Sequence, residues 1–151
     1  MILIDVNLLV YAKMSSLREH VAARPWLERR LSEITGVGLP WASLLGFIRL
    51  TTNPRIFETP LSTEMAWDQV QEWLAMPNVF TPEPAANHPE ILAGLLRHVE
   101  RPAHVPGAHL AALALEYDLV LQTSDRRFSR FSGLRWENPL DQQGTAALPI
   151  G

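Results

Sequence analysis

Apolar residues dominate the first ten positions of the chain. Residues 2–10 read Ile-Leu-Ile-Asp-Val-Asn-Leu-Leu-Val, and only Asp5 and Asn7 interrupt the run. Because both alternating sets of positions are apolar, the run predicts a central parallel strand that is buried on both faces. A second such run, Leu119-Val120-Leu121-Gln122-Thr123, predicts another strand late in the chain. Residues 36–40 predict a short strand or loop, and residues 78–81 predict a further short strand.

The segments that separate these strands carry apolar residues at helical spacing. They are residues 25–34, 44–50, 62–74, 88–99 and 106–115. Pro25 fits the first of these helices only in its first turn, because proline lacks the amide hydrogen that an inner turn uses. Ser62 or Thr63 is the expected cap of the third helix, and Asn87 starts the fourth. Strands that alternate with helices predict an α/β fold with a parallel sheet.

The length of the chain sets its organisation. With 151 residues, of which 47% are apolar, it has enough material for one well-buried core but not for two. No internal repeat or linker divides the sequence. Residues 1–140 are therefore predicted to form a single domain. Residues 141–151 show no periodicity and are predicted to be a disordered tail.

Composition and charge exclude several classes of protein. The chain has no cysteine, which excludes disulfide frameworks and thiolate zinc sites. No basic segment precedes a signal-like apolar stretch, and no apolar run approaches membrane-spanning length, so a cytoplasmic protein is expected. The net charge of −3 argues mildly against tight non-specific binding of nucleic acid. It is compatible with a nuclease, because carboxylates that hold a divalent metal make a protein formally acidic.

Two polar segments follow the two strongest strand predictions. Asp5 and Asn7 come at the end of the first strand, and Thr123-Ser124-Asp125 follows the late one. Taken singly, each segment is also explained as the cap of a following helix or turn. Together they are predicted at one edge of the sheet, where the carboxyl ends of parallel strands bind ligands. Oxygen ligands without cysteine or clustered histidine favour Mg²⁺ or Mn²⁺ over zinc.

Five motifs in this order resemble the PIN-domain ribonucleases, and within them the mycobacterial-like branch of the VapC toxins of type II toxin–antitoxin systems. The resemblance covers about residues 1–140. The motifs are Met1-Ile-Leu-Ile-Asp-Val-Asn-Leu-Leu-Val-Tyr11, Leu39-Pro-Trp with Gly46-Phe-Ile-Arg-Leu-Thr-Thr-Asn-Pro-Arg55, Ala108-His-Leu-Ala-Ala-Leu-Ala114, Thr123-Ser-Asp-Arg-Arg-Phe128 and Phe131-Ser-Gly-Leu-Arg-Trp-Glu-Asn-Pro-Leu140.

The resemblance implies a PIN-like, three-layer α/β/α fold with a central, mostly parallel sheet. It also implies a ribonuclease in which three or four acidic residues hold Mg²⁺ or Mn²⁺. Carried over by position, Asp5 is the first acid and Asp125 the last, and both are expected to be catalytic metal ligands. The candidate substrate contacts are Asn7, Thr123, Ser124 and Arg126.

The sequence departs from the family pattern at two acidic positions. The third acid normally begins the alanine-rich helix, where this chain has Gly107. The second acid normally lies on the helix after the second strand, and residues 42–46 contain none. Two carboxylates anchor one divalent ion but leave a second poorly held, so weak metal affinity and reduced hydrolysis are expected. A natural replacement and an introduced, detoxifying one would both give Gly107.

Basic residues near these motifs are weaker candidates. Four arginines are candidates for contacts with RNA phosphates, or for an ordinary solvated face: Arg126, Arg127, Arg130 and Arg135. His104 and His109 flank the position of the missing acid, but isolated histidines are more often structural. The helical spacing predicts that His109 points away from Gly107.

The resemblance predicts a Mg²⁺-dependent endoribonuclease toxin that cleaves transfer or ribosomal RNA. It also implies a VapB-type antitoxin that covers the acidic groove, and a homodimer. The competing hypothesis is an inactive PIN pseudoenzyme that acts as an antitoxin- or RNA-binding module, which the glycine at position 107 favours. A flavodoxin-like nucleotide binder is disfavoured, because no glycine-rich phosphate loop follows the first strand.

Overall fold

A computed structural model of the protein describes residues 1–141. Five short strands form one sheet: β1 (Ile2–Ile4), β2 (Val37–Gly38), β3 (Val79–Phe80), β4 (Val120–Gln122) and β5 (Trp136–Glu137). The α-helices are α1 (Val6–Lys13), α2 (His20–Ser32), α3 (Trp41–Thr51), α4 (Thr63–Leu74), α5 (His88–Leu96) and α6 (Val105–Glu116). Two 3₁₀ turns complete the set, at Pro102–His104 and Arg126–Arg130.

The sheet has the strand order β3-β2-β1-β4-β5, and every neighbouring pair is parallel. The central strand β1 is buried on both faces. Ile2 and Ile4 belong to a core formed with α1 to α4, whereas Leu3 belongs to a second core formed with α5 and α6. Side chains alternate across a strand, so β1 joins two helical layers. The predicted three-layer α/β/α fold is confirmed.

The first predicted strand, residues 2–10, is wrong beyond Ile4. The chain turns at Asp5, and Val6–Lys13 forms helix α1, with Leu8 and Leu9 fully buried. Periodicity cannot separate a buried strand from a buried helix when both alternating sets are apolar. The segment forms a helix because the Asp5 carboxylate accepts a hydrogen bond from the Val6 amide and caps the first turn.

Helix α2 also differs from its prediction. It begins at His20, so Pro25 lies in its interior and not in its first turn. Pro25 is on the exposed side of the helix, where solvent can reach the carbonyl that proline leaves without a helical partner. Ile34 lies beyond the end of α2 and is fully exposed, so it takes no part in the apolar face.

The remaining helix starts agree more closely with the sequence. The Ser62 hydroxyl accepts a hydrogen bond from the Met65 amide and caps α4 as predicted. Asn87 precedes α5, but its side chain makes no capping bond, and the helix ends at Leu96 instead of residue 99. Of the predicted disordered tail, residues 142–151 lie outside the described residues. Within residues 1–141, no helix is long and apolar enough to cross a bilayer.

A buried polar contact joins α5 to α6. The Glu116 carboxylate is fully buried and is hydrogen-bonded to Nδ1 of His88, whose side chain is 10% exposed. The Ala85 amide donates to the other oxygen of Glu116 at 3.3 Å. His88 continues the chain of contacts through Nε2, which lies 3.0 Å from Nδ1 of His109. This contact fixes the helix that carries position 107.

Replacing His88 by alanine is expected to destabilise the protein by about 3 kcal/mol, because it leaves the buried Glu116 carboxylate without its side-chain partner. Urea unfolding followed by circular dichroism measures the change. The control is His98→Ala, which removes the same side chain from an exposed position. Equal unfolding midpoints for the two variants would show that the buried contact adds nothing to stability.

Candidate active site

The two acidic segments lie side by side at the carboxyl edge of the sheet. Asp5 follows β1 and Thr123 follows the neighbouring strand β4. The Asp5 amide donates to the Gln122 carbonyl at 3.0 Å, which holds the two strand ends together. This parallel pairing places residues that are more than 100 positions apart in sequence at one point. The predicted juxtaposition of Asp5 with Thr123 is therefore present.

The Asp5 carboxylate is held by three hydrogen bonds. Oδ1 accepts from the Val6 amide at 2.7 Å. Oδ2 accepts from the Thr123 hydroxyl at 2.7 Å and from the Asn7 side-chain amide at 3.2 Å. Burial nonetheless raises the pKa of Asp5, and the nearby Asp125 charge raises it further. Asp5 is a fixed, partly desolvated carboxylate, and a cation at this position would stabilise its charged form.

Asn7, Thr123 and Ser124 connect the two acids. The Asn7 amide donates to the Thr123 hydroxyl oxygen at 3.2 Å, and its carbonyl oxygen accepts from the Ser124 amide at 3.4 Å. The Thr123 hydroxyl oxygen also accepts from the Asp125 amide at 3.0 Å. Thr123 is completely buried. These contacts fix the loop between the two acids, and Ser124 takes part through its backbone.

Asp125 has a different environment from Asp5. Arg127 approaches it with its whole guanidinium edge, Nε lying 2.8 Å from Oδ1 and Nη2 lying 2.7 Å from Oδ2. The carboxylate also accepts from the Arg127 amide at 2.9 Å, which starts the 3₁₀ turn. The side-chain hydrogen bonds from Arg127 hold the pKa of Asp125 below its usual range. The site thus pairs an ionised acid with one whose charge is disfavoured.

One cavity of about 220 Å³ collects these groups. Its lining includes Asp5, Asn7 and Asp125, together with His104, Gly107, Arg127, Arg130 and two phenylalanines, Phe128 and Phe131. A larger groove of about 490 Å³ lies between α1, α2 and α4, but it contains neither Asp5 nor Asp125. The chemistry therefore points to the smaller cavity as the site.

Gly107 faces this cavity from the first turn of α6. A Cβ atom built there would lie 3.5 Å from Cζ of Phe128, which is ordinary van der Waals contact. The position can therefore carry a larger side chain. At the place of the second acid, residues 42–46 hold buried Ser43, whose hydroxyl donates to the Ile4 carbonyl at 2.9 Å. That contact secures the end of β1 but supplies no charge.

The structure separates the four arginines that the sequence groups together. Arg127 and Arg130 line the cavity. Arg126 does not; its side chain is 81% exposed and pairs with Asp141. Arg135 lies at the opposite edge of the sheet, before β5, and binds Asp118. No signal in the sequence distinguishes these arginines, because their directions depend on how the segments after Asp125 pack.

His104 is the cavity residue that the sequence treats as a minor candidate. It lies one turn before Gly107, and its ring contacts the guanidinium groups of both Arg127 and Arg130. Burial and the two arginine charges lower the pKa of His104. His109 packs against His88 and does not line the cavity, in agreement with its predicted direction.

The donor set suits one hard divalent cation. Asp5 and Asp125 offer carboxylate oxygens, and Asn7 adds an amide oxygen nearby; magnesium and manganese prefer such ligands. A metal ion would relieve the unfavourable charge on Asp5. Within residues 1–141, no group of three or more acidic or histidine side chains is arranged to hold an ion. The site therefore fits a single ion with water or substrate completing its coordination, and it offers no carboxylate cluster for a second.

Several ribonucleases are similar to this chain over nearly its whole length. The chain is 40% identical to Ribonuclease VapC37 of Mycobacterium tuberculosis, over 91% of this chain and 96% of that protein. It is 42% identical to Ribonuclease VapC43 of the same species, over 95% of this chain and 98% of that protein. It is 37% identical to Ribonuclease VapC33 of the same species, over 93% of this chain and 99% of that protein. No family model matches the chain.

Solved structures share the fold at much lower identity. VapBC2 from Rickettsia felis, bound to a DNA fragment from its promoter, contains a chain that superposes with a TM-score of 0.65 at 17% identity, covering 91% of this chain and 98% of that one. A chain of FitAcB from Neisseria gonorrhoeae superposes with a TM-score of 0.62 at 18% identity, covering 92% and 98%. Because it is 37–42% identical to several VapC ribonucleases over nearly its full length, this chain belongs to the VapC ribonuclease family.

Proposed function

We propose that this protein is a divalent-metal-dependent endoribonuclease toxin that cleaves transfer or ribosomal RNA. The observation that carries the proposal is the pairing of Asp5 and Asp125 at adjacent strand ends, facing one cavity. Membership of the VapC ribonuclease family supports the RNA substrate, since the similar proteins are named ribonucleases. Because RNA is its substrate, we place its action in the cytoplasm.

We assign Asp5 and Asp125 as the metal ligands, with Mg²⁺ or Mn²⁺ as the metal. When bound, the ion supplies an activated water and stabilises the charge that develops on the phosphate. The chain contributes orientation. Thr123 and Asn7 hold the Asp5 carboxylate in place at the lining of the cavity. Arg127 holds Asp125 in the same way from the other side.

We assign the substrate contacts to the loop around these acids. The loop between Asp5 and Asp125 is held by hydrogen bonds of Asn7, Thr123 and Ser124. Arg126 is mostly exposed beside this loop, where it can approach an RNA phosphate from solvent. Of these four, Asn7 alone lines the cavity, so its direct contribution to substrate binding is expected to be the largest.

We propose a VapB-type antitoxin as the protein partner. The solved neighbours VapBC2 and VapBC-1 are named as complexes of this type. A cationic side chain of the antitoxin would match the Asp5 carboxylate at the lining of the cavity by charge. Occupation of this part of the cavity by an antitoxin side chain would block access of RNA to Asp5 and Asp125.

Homodimerisation stays a prediction, and α3 with α4 offers the surface for it. Trp41 and Leu45 lie one turn apart on α3 and are 38% and 58% exposed. Trp67 of α4 stacks on Trp41 with ring centroids 6.4 Å apart and is 40% exposed. Aromatic residues at an exposed apolar patch are typical of subunit contacts.

A charge in this patch is expected to shift the protein from dimer to monomer. We expect Leu45→Glu to do so without loss of secondary structure, because Leu45 is already exposed. Sedimentation velocity measures the mass. Ile34→Glu is the control, since Ile34 is fully exposed and lies outside α3 and α4. A dimer that survives Leu45→Glu would exclude this face.

The second candidate function is an inactive module that binds RNA or antitoxin. Two observations favour it: the cavity has glycine at position 107, and the Arg127 guanidinium already neutralises Asp125. In such a module Asp125 would serve to position Arg127 and not to bind metal.

Calorimetric titration with Mg²⁺ and Mn²⁺, paired with an RNA cleavage assay, separates the two functions. The proposed enzyme is expected to show one weak metal site and metal-dependent cleavage of a transfer and ribosomal RNA pool. The double variant Asp5→Asn, Asp125→Asn controls for contaminating nucleases. RNA binding without metal-dependent cleavage would assign the module function instead.

A further inference from the structure

The cavity has a basic side that the paired acids do not explain. His104, Arg127 and Arg130 converge there from two segments, the turn before α6 and the 3₁₀ turn after Asp125. Arg101 is close enough to lower the pKa of His104, so it adds a further positive charge beside the group. We call His104, Arg127 and Arg130 the basic cluster.

The basic cluster has more hydrogen-bond donors than acceptors. Nε2 of His104 faces Nη1 of Arg127, and Nδ1 of His104 faces Nη1 of Arg130 at 3.3 Å. A neutral imidazole has one acceptor nitrogen and one N–H group, and guanidinium groups only donate. At most one of these two contacts can therefore be a hydrogen bond within the protein. An acceptor from outside the chain would satisfy the surplus donors.

Both arginines are fixed by contacts that leave donors available. Arg127 uses Nε and Nη2 to bind Asp125, and Arg130 uses Nε to bind the Arg127 carbonyl at 2.9 Å. Their Nη1 atoms point to the imidazole between them. Two preordered guanidinium groups beside one small cavity suit a phosphate group, whose oxygens accept several such bonds at once.

We infer that the basic cluster is a phosphate subsite that binds a backbone phosphate of the RNA next to the phosphate that would be cleaved at the Asp5–Asp125 site. The inference rests on the proposed function and deepens it, because it names the part of the substrate that this side of the cavity takes. Asp125 has two roles in this arrangement: it lines the cavity with Asp5, and both of its oxygens accept hydrogen bonds that orient Arg127. By binding this phosphate, the basic cluster sets the position of the RNA chain relative to Asp5 and Asp125.

Binding of a labelled single-stranded RNA in EDTA tests the inference without any cleavage. Fluorescence anisotropy gives the dissociation constant at several salt concentrations for the wild-type protein, Arg130→Gln and Arg127→Gln. Each variant is expected to bind about tenfold more weakly, and the slope of log affinity against log salt should fall by about 0.7 for each lost phosphate contact. Arg130 is the decisive position, because it does not contact either acid.

Arg135→Gln is the matched control. It removes the same charge from the opposite edge of the sheet, where Arg135 binds Asp118. Circular dichroism checks that every variant is folded. Inorganic phosphate is titrated against bound RNA to distinguish a backbone phosphate from a free anion, and weak competition is expected.

Each outcome decides the matter. Tight RNA binding that falls in Arg130→Gln but not in Arg135→Gln supports the subsite. Equal binding and equal salt slopes in these two variants overturn the subsite and leave the proposed function standing. Displacement of RNA by inorganic phosphate at micromolar concentration assigns the cluster to a free anion and overturns the choice of backbone phosphate. A wild-type protein with no affinity for RNA in EDTA overturns the subsite, and the metal-dependent cleavage assay decides the proposed function separately.

Discussion

Replacing Gly107 by aspartate is expected to raise metal-dependent RNA cleavage by about 10²-fold, because a third carboxylate lets the site hold its divalent ion more tightly. The position faces the same cavity as Asp5 and Asp125. Space is available, since the new Cβ would meet only Phe128, at 3.5 Å. Position 107 also lies in the first turn of α6, where the helix dipole favours a negative charge.

The same change has an opposite effect on the metal-free protein. Asp5 and Asp125 repel a third carboxylate, so Gly107→Asp should melt in EDTA at a lower temperature than Gly107→Asn, which makes the same backbone change without the charge. With added Mn²⁺, Gly107→Asp should instead melt at the higher temperature, because ligand binding to the folded state stabilises it. Thermal unfolding with and without metal measures both effects.

Gly107→Asn is the control for this prediction. It has nearly the same shape as aspartate and the same backbone change, but no charge. RNA cleavage measured at saturating Mn²⁺ should rise only in the aspartate variant. If both variants cleave RNA at the wild-type rate, the missing third carboxylate is not what limits this protein, and the module function gains support.

Replacing Asp5 by asparagine is expected to abolish metal binding and lower cleavage by about 10³-fold or more, since changes beside a metal ligand alone remove about 10- to 100-fold. Asparagine keeps an oxygen for the Val6 amide, so the cap of α1 remains. The loss should therefore be chemical, and the fold should survive.

The same Asp5→Asn change is expected to raise the stability of the metal-free protein near neutral pH. Burial raises the pKa of Asp5 above its ordinary value of 3.8, so the folded protein binds that proton more tightly than the unfolded chain does. The stability that this proton contributes is present at low pH and is lost as the pH rises through the raised pKa. Near neutral pH the ionised Asp5 costs stability in EDTA, and Asp5→Asn removes that cost.

Urea unfolding in EDTA at several pH values measures this effect. The difference in unfolding free energy between Asp5→Asn and the wild type should increase from pH 4 towards neutral pH. The matched control is Asp118→Asn, which neutralises an exposed carboxylate at the opposite edge of the sheet. A constant difference across the pH range would mean that burial does not destabilise the Asp5 charge.

Local patterns in the sequence predict much of the fold but not where its first strand ends. The alternation of apolar and turn-forming segments gives the α/β class, and Ser62 marks the start of α4 because its cap depends on neighbours only three residues away. The end of β1 and the start of α1 cannot be found in this way. Leu8 and Leu9 are fully buried on a helix, and burial makes a helix and a strand equally apolar.

The candidate site shows the same division. Asp5, Thr123 and Asp125 are found from the sequence because each follows a strand. From the sequence, Arg130 and His104 are only weaker candidates, because they reach the cavity from turns whose direction depends on packing. Nothing in the sequence separates Arg130 from Arg135, which has the same side chain and lies five residues further on.

The sequence by itself determined the class of fold, the two acids and the glycine at position 107, since these depend on residue type and local order. Only the tertiary structure decided which groups share the cavity. Parallel pairing of β1 with β4 joins Asp5 to Thr123 across 118 residues, and the 3₁₀ turn aims Arg127 at Asp125. The charge on a carboxylate is set by the groups around it, and those neighbours come from distant parts of the chain.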